Sequence, residues 1–174
     1  LSYVSLRNGD RTMYYGFDAR PGLSTGFLSG SRSFLKMQGL AAGLDYSTEE
    51  SNFTLALSTL ASQLERRSLV IIFSDFVDTI SAELMLENVR RLTDRHLVLF
   101  ATFEDEALSS MADAPPETTD DVTRAVIAGT LLAERDVVLR RLQRMGVQVI
   151  ETRPELFGGA LISRYLEIKK RDML

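Results

Sequence analysis

The chain has 174 residues, with Lys+Arg 20, Asp+Glu 24, one His, no Cys and no Trp. That length suits one domain with enough chain to bury a core, and 45% hydrophobic with 25% charged residues is the composition of a folded protein, not a disordered one. Without cysteine there is no disulfide, thiolate metal site, iron–sulfur cluster or cysteine nucleophile, and a single histidine excludes a metal site built from several imidazoles of one chain.

In chain order, Leu1 to Leu6 reads as the last turns of a helix, stopped by the turn residues Asn8-Gly9-Asp10. Met13 to Phe17 is aromatic-rich, Asp18 to Gly22 contains Pro21 and reads as a turn, and a second short strand near Leu23 to Phe27 completes a hairpin. Helical spacing of apolar residues predicts helices over Ser31 to Leu44 and Phe53 to Leu64, joined by a polar loop over Asp45 to Ser51.

From Ser68 the pattern changes. Ser68 to Asp75 is a continuous apolar run ending in polar residues, the signature of a strand buried on both faces of a parallel sheet. Ser81 to Leu92 is helical, with Thr79 or Ser81 as cap. His96 to Thr102 is a second buried strand. Glu104 to Met111 predicts a short helix broken at Ala114-Pro115-Pro116. A long helix spans Thr118 to Met145, capped by Thr119 or Asp120 and stopped by Gly146. Val147 to Ile150 is a third strand, and Pro154 opens a final helix over Glu155 to Lys170. The alternation of strand and helix predicts a parallel sheet with helices on both faces.

The net charge of −4 supplies no basic face for nucleic acid, so no nucleic-acid partner is expected. Residues 103–121 nevertheless carry seven acids and no Lys or Arg, whereas residues 135–174 carry nine bases and five acids. Such runs read either as solvated surface or as complementary patches for a protein partner. No apolar run reaches the roughly 18 residues of a membrane span and no signal peptide opens the chain, so a soluble chain is expected.

Sites in open α/β sheets gather at the carboxyl ends of strands. Ser74-Asp75 through Asp78, Thr102 to Asp105 and Glu151 to Pro154 fall there, and the loop Thr48 to Asn52 is a candidate to join them. Asp75 suits a hard divalent cation, alongside hydroxyls such as Ser74 or Ser51, or else caps the next helix or a turn. His96 opens a strand at the opposite end, which makes a Ser74/Asp75/His96 triad geometrically poor. There is no Gly-x-Ser-x-Gly elbow, no P-loop and no dinucleotide fingerprint. Tyr14, Tyr15 and Phe17 read as hairpin packing or as a stacking platform for bases.

Several stretches resemble von Willebrand factor A-type domains: Arg7 to Asp18, Ser51 to Leu57, and Ser74-Asp75. More specifically, Arg67 to Asp78, Arg95 to Leu99, Ala133-Glu-Arg-Asp, Met145 to Val149 and Tyr165 to Lys169 resemble a bacterial family of unknown function associated with MoxR-type AAA+ ATPases. The resemblance implies an α/β three-layer sandwich, a mostly parallel sheet with helices on both faces, spanning 1–174 as a single domain. It also implies a metal ion-dependent adhesion site, in which Ser51 matches a Thr ligand and Asp75 the last Asp. The Asp-x-Ser-x-Ser element of such sites is absent. The expectation is therefore a domain that is N-terminally incomplete, lacking its first strand, with exposed strand edges open to another segment or to homo-oligomerisation. A divalent cation (Mg2+ or Mn2+) is expected in the full-length protein, with absent or weak binding here, because two oxygens fall short of six-coordination.

Two functions follow. The first is a non-enzymatic interaction module partnered with a MoxR-type AAA+ ATPase. It would be cytoplasmic, or the soluble part of a membrane-anchored bacterial protein. The second is a metal-dependent hydrolase using Asp75, Asp78 and Glu49 or Glu50.

Overall fold

The computed structural model describes residues 1–43, 49–74 and 79–171, with the side chains of 79–81 left aside. Its internal contacts divide the chain into two compact units, Leu1–Glu65 and Arg66–Leu174.

The first unit is built from short elements. Helix α1 (Ser2–Arg7) ends at Asn8, and Gly9 adopts φ 84°, a left-handed conformation that glycine enters without a Cβ clash. Strands β1 (Tyr15–Phe17) and β2 (Pro21–Ser24) pair antiparallel. The hairpin is thus present, but its second strand starts earlier than the sequence suggests. The reversal closes within Asp18–Arg20, where the Asp18 carboxylate accepts from the Arg20 N–H at 3.0 Å, and this frees Pro21 and Gly22 to join the strand. Pro21 is tolerated because it is the first strand residue. Helix α2 (Ser33–Ala41) buries Met37. Helix α3 (Phe53–Gln63) is capped by Asn52, whose side chain accepts from the Leu55 N–H at 3.0 Å, and it buries Ala56, Leu57 and Leu60. Phe17 meets Phe53 edge-on at 5.3 Å, and the Tyr15 hydroxyl donates to the Ala56 carbonyl. These hairpin aromatics are therefore packed on α3.

The second unit is a three-stranded parallel sheet in the order β3 (Leu69–Phe73), β4 (Leu97–Phe103), β5 (Gln148–Thr152). Leu69 pairs with Leu97 and Ile71 with Leu99, and Leu99 pairs on its other side with Gln148. The central strand β4 is buried from Leu97 to Thr102, which explains its unbroken apolar sequence.

Helix α4 (Thr79–Thr93) links β3 to β4; helices α5 (Glu106–Asp113) and α6 (Thr119–Arg144) link β4 to β5; α7 (Pro154–Lys170) follows. Successive crossovers of the same hand, moving in one direction across a sheet, put their helices on one face. Arg141 of α6 accordingly pairs with Glu83 of α4. Arg135 of α6 reaches Thr102, whereas Phe157 of α7 touches Phe103. Adjacent strand residues point to opposite faces, so α6 and α7 cover opposite sides. The expected parallel sheet with helices on both faces is present as a mixed α/β fold.

One helix cap differs from the sequence reading. The α6 cap is Thr118, not Thr119 or Asp120. Thr118 is extended (φ −130°, ψ 164°), its Oγ1 accepts from the Asp121 N–H, and the Asp121 carboxylate accepts from the Thr118 N–H at 2.9 Å. The reciprocal pair satisfies two amides that a helix start leaves open. The α4 caps expected at Thr79 or Ser81 lie outside the described side chains, though the helix itself begins at Thr79. Gly146 stops α6 with φ 85°, as expected.

Candidate functional site

The carboxyl ends of β3, β4 and β5 form the edge to which the sequence points. Its centre is Arg135, a charged residue only 8% exposed. Its Nε–H donates to Glu151 Oε1 at 2.9 Å, and its Nη2 donates to Thr102 Oγ1 at 2.7 Å and to the Phe103 carbonyl. One guanidinium thus ties the ends of β4 and β5 to α6. A buried charge is tolerated when it is paired and its donors are used. Sequence reading quoted Arg135 only within the Ala133-Glu-Arg-Asp stretch and not as a site residue, although a signal exists: Ala128, Arg135 and Leu142 are seven residues apart and all buried, so a charge sits in the apolar stripe of α6.

Beside this clamp lie three phenylalanines. Phe103 lies 4.6 Å from Phe157, and Phe73 6.0 Å from Phe157, measured between ring centroids. Phe73 is 56% and Phe103 48% exposed. On the α6 side, a cavity of about 740 Å³ is lined by acidic residues, among them Glu104, Glu106, Asp113 and Glu151, with Arg153 as the exposed cation. Asp105, also in its wall, spends its carboxylate on the N-terminus of α5, accepting from the Leu108 N–H at 2.9 Å.

Of the two metal ligands matched by resemblance, only Ser51 falls among the described residues. Ser51 is exposed, next to the cap of α3 in the first unit. Asp75 and Asp78 lie outside the described residues. Glu49 and Glu50 are exposed and belong to the first unit. Among the described residues, no group of three or more His, Asp or Glu side chains is arranged to hold a metal ion. Ser74 follows β3, its N–H donating to the Ala101 carbonyl at 3.3 Å.

His96 lies at the other end of the sheet, immediately before β4, as the sequence implies. It is 6% exposed, its Nδ1 has no hydrogen-bond partner, and burial, with Arg95 and Arg67 nearby, holds its pKa below the ordinary value of 6.5. This placement separates it from Ser74 by the length of the strands.

Fold and edge together define a mixed α/β protein whose parallel sheet presents an aromatic and acidic carboxyl end. Comparison with protein families is more specific: the chain belongs to the family described as "Protein of unknown function DUF58", matched over residues 1–128. The match covers the first unit, β3, β4 and the first part of α6, while β5 and α7 lie beyond it. No curated protein and no solved structure matches the chain. No described helix is long and apolar enough to cross a membrane.

Proposed function

We propose that the chain is a non-enzymatic interaction module of the von Willebrand factor A-like type, which docks a MoxR-type AAA+ ATPase through the carboxyl end of its parallel sheet. The observation that supports this reading most is the pair of exposed rings Phe73 and Phe103, gathered on the half-buried Phe157. Large aromatic rings left at a surface beside a rigid, hydrogen-bonded clamp are the usual anchors of protein interfaces. Membership of the DUF58 family agrees with the bacterial family resemblance in the strand sequences.

A divalent cation belongs to this reading as an accessory. The Ser51 hydroxyl and Asp75 carboxylate are the ligands that the resemblance supplies, and hard oxygen donors of this kind suit Mg2+ or Mn2+. Two donors make a weak site, so calorimetry with Mg2+ is expected to give no micromolar binding to this chain.

The docking test uses the immobilised chain as bait for a purified MoxR-type ATPase from a bacterium that carries both. Retention is expected, with loss in a Phe73→Asp/Phe103→Asp double variant whose circular dichroism is unchanged. Equal retention by the double variant, or none by the native chain, rejects the reading.

A further inference from the structure

The two ends of the parallel sheet carry opposite charge. In a parallel sheet every strand starts at one end, and the crossover helices run back to finish there. That end collects arginines from four separate segments. Arg66 and Arg67 precede β3, Arg90 lies in the last turn of α4, Arg95 precedes β4, and Arg144 ends α6. All five are exposed. The segments converge: the Leu97 N–H donates to the Ser68 carbonyl at 3.0 Å, and Arg90 and Arg144 line one cavity of about 380 Å³ with Thr93, Asp94 and Met145. Asp94 is the carboxylate in that wall. None of the five arginines is in an ion pair among the described residues.

The opposite end presents Glu104, Glu106, Asp113 and Glu151 around one cavity, with Arg153 as the cation in its wall and Glu151 shared with Arg135, and Phe73 and Phe103 are exposed at the same end of the sheet. Carboxylates and aromatic faces are the two groups that a guanidinium binds best, by forked hydrogen bonds and by stacking.

We propose that the occupant of this acidic, aromatic end is the arginine end of a second copy of the chain, so that molecules associate head to tail. Both complementary surfaces are present on one unit. A nucleic acid or an anionic membrane would satisfy the arginines, but it would be repelled by the opposite end and by a chain of net charge −4. A contact between two different surfaces does not close on itself as a two-fold dimer does, so short chains of molecules form. The contact is electrostatic in origin and is therefore weak and salt-sensitive. It uses the same end of the sheet as the ATPase docking reading, so a second copy and the ATPase would compete for that surface, and each is tested by its own readout.

The test is sedimentation of the full chain at several concentrations. The average mass is expected to rise to at least about twice that of the monomer in about 20 mM salt, and to return to the monomer value in about 300 mM salt. Arg90→Glu/Arg144→Glu should be monomeric throughout, and so should Glu104→Arg/Glu106→Arg. A mixture of the two variants should associate again, because each then offers the surface that the other lacks. Arg164→Glu, on the middle of α7, should behave as wild type. If the reversal at Arg90 and Arg144 unfolds the protein, Arg66→Gln/Arg95→Gln is the substitute, with association weakened at least about tenfold. A monomer at low salt, association that survives high salt, or reversal variants that assemble like wild type each overturn the proposal. Binding of anionic vesicles or RNA by the arginine end without self-association also overturns it. Failure here leaves ATPase retention by Phe73 and Phe103 untouched, and the reverse also holds.

Discussion

Arg135 Nε stands 2.9 Å from Glu151 Oε1, and this contact joins the long helix α6 to the end of the edge strand β5. The same guanidinium bonds Thr102 and the Phe103 carbonyl on β4. One side chain therefore reinforces the last paired residues of β4 and β5, Thr102 with Glu151 and Phe103 with Thr152.

Removing that side chain should be expensive. Arg135→Ala removes one donor to the Thr102 hydroxyl and one to the Phe103 carbonyl, and takes from Glu151 its cation. Breaking a buried pair typically costs 3–5 kcal/mol. Because the Glu151 side chain is 34% exposed and water can replace part of the loss, about 2–4 kcal/mol is expected. Urea unfolding measures it. A loss under about 0.5 kcal/mol, the size of an ordinary surface change, would show that the clamp is ornamental.

His96 makes stability depend on pH. Its folded pKa lies below the ordinary 6.5 because the imidazole is buried near Arg95 and Arg67. The unfolded chain takes up a proton as pH falls through about 6.5, while the folded chain resists it. Stability should therefore be unaffected by this group above that range and decline on acidification below it. His96→Gln should flatten the difference in urea midpoint between about pH 7.5 and pH 5.5. An unchanged slope in the variant would assign the acid sensitivity to carboxylates instead.

The reciprocal cap at the start of α6 makes a smaller prediction. Thr118→Ala removes the oxygen that accepts from the Asp121 N–H. Loss of a cap of this kind costs about 1 kcal/mol. Thr119→Ala and Asp120→Ala, one and two residues on, should cost less. Equal losses at all three positions would mean that helix propensity, not the cap, governs this end.

Phe73 is the last residue of an apolar edge strand and more than half exposed. Exposed apolar edges invite association of chains. Phe73→Ser should raise solubility while changing the unfolding midpoint little, by about 0.5–1 kcal/mol in free energy. A large destabilisation would instead assign the ring a packing role against Phe157.

Much of the fold was legible along the chain. Helices α3, α4 and α6 show the spacing of one buried stripe, and β3 and β4 show the unbroken apolar runs of a covered parallel sheet. The details that were misplaced are local. Thr118, Thr119 and Asp120 are all good capping types, and only the extended backbone at Thr118 selects one of them. The position of the carboxyl-end loops at one end of the sheet was legible, because strand direction alone puts them there.

The amino-acid sequence by itself determined the elements, their parallel arrangement, and the exclusion of thiol chemistry and of metal sites rich in imidazole, since periodicity and composition are properties of the chain. Tertiary structure decided which side chains meet. Arg135 reaches Glu151 and Thr102 across 16 and 33 residues. Phe73 and Phe103 share a ring neighbour in Phe157. Arginines scattered from Arg66 to Arg144 gather at one end of the sheet. Spacing along one element does not encode such encounters, because they depend on how separate elements are brought side by side. Here that is the parallel register, which sends every strand start to one end and every strand finish to the other.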